Sequence, residues 1–268
     1  MEERIVVLDF GGQYNQLIVR RVREAGVFSE LLHHDAGLDK IKGTALSGII
    51  LSGGPDSVYQ KDAKSCSDKI FTLGVPVLGI CYGMQYIAKI FGGEIVPSDI
   101  GEYGITKIKL EPHTIFQGFN NDTVRMNHND NVTRPPVGFA VIASTAHCPV
   151  AAFADDRRRL YGLQFHAEAS KTDKSAIVID NFIKTICGCK GSPRVKSIEK
   201  ELTDVIKKQA ANDRVLCAFS GGVDSAVAAL LTQKAIPDRL SCLFVDNGLQ
   251  SQDGLEQVLD FYRNKMGL

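Results

Sequence analysis

Three short apolar runs do most to limit what this chain can fold into: RIVVLDF (Arg4–Phe10), SGIILSG (Ser47–Gly53) and VPVLGIC (Val75–Cys81). They are apolar at consecutive positions rather than at alternate ones. A strand of that kind must be covered on both faces, as in a parallel sheet flanked by helices. Helical patterns lie between and after them. Ile18, Val22 and Ala25 share one helix face, which Gly26 ends, and Met84, Ile87, Ala88 and Phe91 form another stripe, ended by Gly92-Gly93. The reading is α/β.

From about Lys107 to Ala154 the pattern becomes shorter and more β-like, Arg158–His166 (RRLYGLQFH) reads as a further strand, and a helix is expected from Ser175 to Ile186. The first domain is set at 1–188 and a linker at 189–196, because CGCKGSPR (Cys187–Arg194) has boundary composition. Its C-x-C pair lacks the second pair that a structural metal site needs. An amphipathic helix marked by Ile198, Leu202, Val205 and Ile206 then opens a second domain, 197–268, with a strand–loop–helix–strand–helix order. Two strands bury little core, so this domain is expected to be incomplete.

Composition excludes several classes. With 31 basic and 31 acidic residues the chain has no net charge, which argues against a duplex-binding surface or a polybasic membrane anchor. No apolar run reaches the roughly 18 residues of a membrane helix. Seven irregularly spaced cysteines favour a reducing compartment, so a cytoplasmic location is expected.

Chemistry is concentrated at LGICYGMQ (Leu78–Gln85). Gly79-Ile80-Cys81-Tyr82-Gly83 has the G-x-nucleophile-x-G spacing of a sharp strand-to-helix turn. Such a turn lifts the thiol out of the core and sets it at a helix N-terminus, where a thiolate is favoured. Taken alone, the motif leaves simple packing of Cys81 equally open. His166-Ala167-Glu168 supplies a base and an orienting carboxylate, on one face if the segment is a strand. Leu51–Pro55 (LSGGP) offers backbone N–H groups for an oxyanion, although a plain Gly-Pro turn reads the same way.

LSGGP, GICYGMQ and FHAE, in that order, resemble the class I glutamine amidotransferases over roughly Met1–Ile186. The resemblance implies a flavodoxin-like sheet and hydrolysis of glutamine through a γ-glutamyl thioester. Cys81 would be nucleophile, His166 base and Glu168 orienter. Gly53 or Gly54 and Tyr82 would give the oxyanion N–H groups, with Gln85 close to the glutamine. Ala167 stands where the family usually has proline, which keeps the spacing.

In the second domain, FSGGVDSA (Phe219–Ala226) follows a strand pattern and opens a helix. Its N–H groups at a helix N-terminus suit a pyrophosphate, and it lacks the G-x-x-x-x-G-K-[ST] of a Walker A loop. The string resembles the loop of the N-type ATP pyrophosphatases (adenine nucleotide α-hydrolase-like). That implies ATP bound along Ser220, Gly221, Gly222, Val223, Asp224, Ser225 and Ala226, with Asp224 reaching a magnesium ion. ATP and Mg2+ enter as a substrate complex, and no tightly bound cofactor is expected. The second strand, ending FVDNGL (Phe244–Leu249), would lie beside the adenine.

Amidotransferase first and pyrophosphatase second is the order of the glutamine-hydrolysing GMP synthase family, which LDFGGQY (Leu8–Tyr14), EYG (Glu102–Gly104) and VDNGL also resemble. Glutamine, ATP and XMP are the implied substrates, with no nucleic acid or membrane partner. The family's remaining pyrophosphatase strands and its C-terminal dimerisation domain have no counterpart here, so homodimerisation is expected only of a longer chain and glutaminase activity without unaided GMP formation. MNHNDNV (Met126–Val132) departs from the family's Ser-His-Gly-Asp run, and His128 in it borders the implied glutamine site. Two other readings stay open: a different glutamine-dependent ATP pyrophosphatase or ammonia-donating component, and a non-catalytic regulatory remnant.

Overall fold

The computed structural model describes residues 3–43, 45–169, 175–191, 198–220, 222–244, 256 and 260–265. The chain divides into two compact units, Met1–Lys196 and Ser197–Leu268.

In chain order the first unit runs β1 (Arg4–Asp9), α1 (Asn15–Glu24), β2 (Phe28–His33), α2 (Leu38–Ile41), β3 (Leu46–Leu51), β4 (Val77–Ile80) and α3 (Tyr82–Ile90). There follow β5 (Glu94–Lys107), β6 (Lys109–Leu110), β7 (Thr123–Arg134), β8 (Ala140–Ser144), β9 (Ala152–Asp155), β10 (Leu160–Leu163) and α4 (Ala176–Asn181). Eight strands form one sheet in the order β2-β1-β3-β4-β10-β9-β8-β6. The first five pair in parallel, and β9, β8 and β6 extend the sheet antiparallel.

The continuous apolar runs are explained by how this sheet is covered. Ile5 and Val7 of β1 and Ile50 of β3 belong to one core cluster, together with Ile18 and Val22 of α1 and Phe182 beyond α4. Val6 and Leu8 of β1, with Ile49 and Leu51 of β3, belong to a second cluster that includes Met84 and Ile87 of α3. Alternate residues therefore enter different cores, and the buried middle of each strand has no place for a polar side chain. β5 and β7 lie apart from this sheet as a long antiparallel ribbon.

Two sequence expectations are corrected. The strand expected over Arg158–His166 is only Leu160–Leu163. It is preceded by a turn in which Arg158 N–H donates to Asp155 Oδ1 at 3.0 Å and Arg159 takes φ +59°. Beyond it the chain turns at His166, where Ala169 N–H returns to the His166 carbonyl at 3.3 Å. The helix expected over Ser175–Ile186 is α-helical only to Asn181 and continues as a π-helical turn, Phe182–Ile186. There Cys187 N–H bonds to the Phe182 carbonyl at 2.8 Å, five residues back.

The second unit comprises α5 (Ile198–Ala210), β11 (Val215–Phe219), α6 (Val223–Ala235) and β12 (Leu240–Phe244). β11 and β12 pair in parallel from Val215↔Leu240 to Phe219↔Phe244, with α6 as the crossover. Its core is small, built on Phe219, Ala226 and Ala229 with Phe244 and Tyr262 packed against them. Among the described residues, no helix is long and apolar enough to cross a membrane.

Candidate active site

Cys81, Tyr82, Gly53, Gly54, His166 and Glu168 lie beyond the carboxyl ends of parallel strands, where open α/β sheets gather their ligands, and Gln85 lies within α3. Cys81 follows β4 and caps α3 with φ +51° and ψ −107°, a conformation that costs a non-glycine residue about 1–3 kcal/mol. Neighbouring contacts impose it. Cys81 N–H is bound by the Leu163 carbonyl at 2.7 Å, and its carbonyl accepts from Gln85 N–H at 3.1 Å. Gly83 N–H reaches the Ser52 carbonyl at 3.1 Å. The flanking glycines make this approach possible. A Cβ on Gly79 would stand 2.4 Å from the Gly83 backbone, and one on Gly83 would stand 2.3 Å from the Leu51 carbonyl oxygen. The motif read from sequence as a tight elbow is built as one.

His166 and Glu168 meet although they are not on a strand. Nδ1 of His166 lies 2.7 Å from Oε1 of Glu168, and both side chains are buried. The turn after β10, not strand alternation, sets this contact. His166 N–H is anchored to the Arg125 carbonyl at 2.9 Å, and Tyr14 packs edge-on against the ring at 5.2 Å between centroids. Burial works against a charged imidazole here. Hydrogen bonds to Cys81 and Glu168 outweigh it, and the His166 pKa is pushed up to about 10. Cys81, His166 and Glu168 line one cavity, with the imidazole bonded to the carboxylate, a set of side chains from which an activated nucleophile can be built.

Gly53 lies against both His166 and Cys81: a Cβ there would be 3.2 Å from His166 Cε1 and 3.7 Å from Cys81 Cβ. Its turn is braced by Ser52, fully buried, whose Oγ accepts from Phe10 N–H at 3.0 Å and donates to the Gly53 carbonyl at 2.9 Å. Tyr82 is the first residue of α3, so its N–H has no helical partner. Residues 6–186 match the family profile "Glutamine amidotransferase class-I". The chain belongs to that family. A profile described as "NAD synthase" matches residues 194–267, in line with the ATP pyrophosphatase reading of the second unit.

The curated relatives are longer proteins. Over 264 residues the chain is 45% identical to "GMP synthase [glutamine-hydrolyzing]" of Caldanaerobacter subterraneus subsp. tengcongensis, covering 97% of this chain and 51% of that protein. The protein of the same name from Syntrophomonas wolfei is 46% identical over 267 residues, 99% of this chain and 52% of the relative. The chain thus spans about half the length of the curated relatives it matches. A crystal structure from Thermoplasma acidophilum, described as that of a candidate GMP synthase component, superposes with TM-score 0.62 at 33% identity. The match covers 75% of this chain and 98% of that one.

Within the amidotransferase unit, a cavity of about 220 Å³ is lined by Gly53, Gly54, Cys81, His166 and Glu168, with Gly12, Tyr14 and Asn127. A neighbouring one of about 330 Å³ holds Tyr82 and Gln85 and shares Cys81 and Gly54 with it. The Gln85 amide is spent inside the protein, donating to the Asp130 carbonyl at 3.0 Å and to Gln164 Oε1 at 3.1 Å. Gln164 in turn directs Nε2 at Cys81 Sγ, 3.5 Å away. Sequence reasoning singles out neither Gln164 nor Tyr14. Gln164 sits two residues before His166 in a run that reads simply as strand, and nothing in its spacing signals the thiol.

In the second unit the candidate ATP loop follows β11. Ser220 Oγ and Ser225 Oγ are 3.0 Å apart, Gly222 N–H reaches Ser220 Oγ at 3.4 Å, and Ser225 Oγ donates to the Gly222 carbonyl at 3.0 Å. Gly222 caps α6, Asp224 falls in its first turn, and Val223 and Ala226 complete that turn. Gly221 and the VDNGL segment from Val245 to Leu249 lie outside the described residues.

Proposed function

We propose that this amidotransferase hydrolyses the side-chain amide of glutamine at Cys81 and supplies the ammonia to a GMP synthase reaction. The observation that carries the first half is the Cys81 elbow set in one cavity with a His166 that is bonded at 2.7 Å to buried Glu168. In the proposed sequence the Cys81 thiolate attacks the amide carbon. The oxyanion that forms is held by the N–H groups of Gly53 or Gly54 and of Tyr82. The His166 imidazolium, fixed by Glu168, gives its proton to the leaving nitrogen, and ammonia departs from a γ-glutamyl thioester. Water, deprotonated by His166, then cleaves the thioester to glutamate and restores the thiol. Gln85 acts by fixing α3 beside the cavity.

The relatives' name and the Ser220–Ala226 loop support the second half. ATP enters as its magnesium complex with its phosphates on that loop, and Asp224 is the residue assigned to the ion. The C2 oxygen of XMP attacks the α-phosphorus, pyrophosphate leaves, and ammonia displaces AMP to give GMP. Homodimerisation is assigned to a longer chain. A cytoplasmic location is assigned from the seven free cysteines.

The test is ammonia release from glutamine by the purified protein and by Cys81→Ala, followed by AMP release with Mg-ATP and XMP or other acceptors. Loss of ammonia release in the variant is the expected result, with no GMP made by these 268 residues unaided; a longer chain that spans the relatives' full length should release AMP when XMP is the acceptor. Glutamine hydrolysis surviving Cys81→Ala would overturn the nucleophile assignment. AMP release that depends on a different acceptor would overturn the GMP synthase assignment.

A further inference from the structure

A second buried Glu-His-Cys set lies beside the proposed triad, and the mechanism above uses none of it. Glu102 on β5 stands opposite His128 on β7 in the strand register, and Cys148 lies in the connection between β8 and β9. All three are buried, at 5%, 5% and 0% exposure. One ligand atom from each lies within 4.8 Å of the other two, the sole such group of His, Cys, Asp or Glu among the described residues. We infer that Glu102, His128 and Cys148 form a binding site for a single divalent transition-metal ion, zinc being the fitting one.

The orientation of the ligand atoms carries the inference. His128 Nδ1 lies 3.1 Å from the Asp130 carbonyl oxygen, which can only accept, so Nδ1 bears the proton. That leaves Nε2 to face Glu102 Oε2 at 3.3 Å. Both atoms are buried and neither makes a hydrogen bond. A lone pair facing a carboxylate oxygen inside a protein calls for positive charge between them, a proton or a metal ion, and the Cys148 thiol within 4.8 Å of both supplies a third ligand that only a metal ion uses. Two ligands bound to zinc at their usual lengths stand about 3.3 Å apart across a tetrahedral angle, so this pair already has the spacing of a ligand edge.

The surrounding bonds hold the set as outer partners hold metal ligands. The backbone carbonyl of Asp130 fixes the His128 tautomer, the commonest arrangement for a metal-binding imidazole. Thr145 Oγ1 donates to Glu102 Oε1 at 2.6 Å and accepts from Cys148 N–H at 2.9 Å, so one hydroxyl orients two ligands. One carboxylate, one imidazole and one thiolate suit zinc rather than magnesium or calcium, and leave the fourth tetrahedral position for water. His128 also lines the cavity that Cys81 and Gln85 border, which gives an ion a route inward. Bound there, the ion would tie β5, β7 and the β8–β9 connection together next to Asn127, whose carbonyl lies 3.8 Å from Cys81 Sγ.

Zinc uptake by metal-free protein, measured against a chromophoric chelator, tests this, with cobalt as a spectroscopic probe. Cys81→Ala serves as the background, so that the proposed catalytic thiol contributes nothing, and a Cys187→Ser/Cys189→Ser/Cys217→Ser/Cys242→Ser protein controls for the two other thiol pairs. The expected results are one zinc per chain in both backgrounds and a thiolate-to-cobalt charge-transfer band. Cys148→Ser should abolish the band, and His128→Gln should weaken zinc at least about tenfold. Thr145→Val, which leaves all three ligands in place, should weaken it by about 10–100-fold. Folding of each metal-free variant is followed by circular dichroism. Failure of the folded Cys81→Ala protein to take up stoichiometric zinc would overturn the inference, as would uptake that ignores Cys148→Ser and Thr145→Val.

Discussion

Replacing Glu168 by glutamine keeps the shape of the side chain and removes its charge. Glu168 is 1% exposed, and its Oε1 holds His166 Nδ1 at 2.7 Å. A hydrogen bond to a charged partner contributes about 1.5–3 kcal/mol in such a setting, more than a neutral one. If that energy holds the imidazolium that gives its proton to the leaving nitrogen, its loss slows the step by about 10–150-fold. The glutamine amide can also turn its NH2 toward Nδ1 and favour the wrong tautomer, which adds to the loss. Because Glu168 is among the groups that raise the His166 pKa to about 10, the basic limb of the rate profile should also move to lower pH. The assay is ammonia release from glutamine across pH, with kcat separated from KM. A kcat within about threefold of the parent and an unmoved basic limb would refute the claim that Glu168 acts through His166.

Other outcomes follow from the same geometry. Gly83→Ala places a Cβ 2.3 Å from the Leu51 carbonyl oxygen, which is backbone and cannot step aside. It should destabilise the fold by about 1–3 kcal/mol or more, read as a lower denaturant midpoint, and abolish glutamine hydrolysis. For Ser52→Ala, the Phe10 N–H loses its buried acceptor, and a loss of about 1–3 kcal/mol is expected in the same measurement. The pH dependence of stability has a defined sign. His166 titrates near 6.5 when unfolded and is raised to about 10 when folded. Its contribution is therefore fully present below about pH 6.5 and is lost as pH rises through about 10. His166→Gln should flatten that alkaline loss in thermal unfolding scans.

The parts of this fold that are legible in the sequence are those whose local pattern is strong. Ile5–Leu8 and Ile49–Leu51 are apolar at every position because both faces are covered, and that shows in the sequence. The elbow is legible because only glycine fits at positions 79 and 83. The β5–β7 ribbon does not separate from the main sheet on sequence, because residues such as Tyr103 and Ile105 are exposed and carry no two-faced apolar signal. His166 and Glu168 pair on sequence for a reason the structure replaces: a turn, rather than a strand, brings them together. Gln164 beside Cys81, and Glu102 with His128 and Cys148, meet through tertiary packing over separations that no motif spacing encodes.

Mass mapping of the protein after incubation with an electrophilic glutamine analogue addresses the central claim most directly. A single adduct on Cys81, formed in competition with glutamine and slowed by His166→Gln, is the predicted result. An unlabelled Cys81, or an adduct on another of the cysteines, would contradict the account.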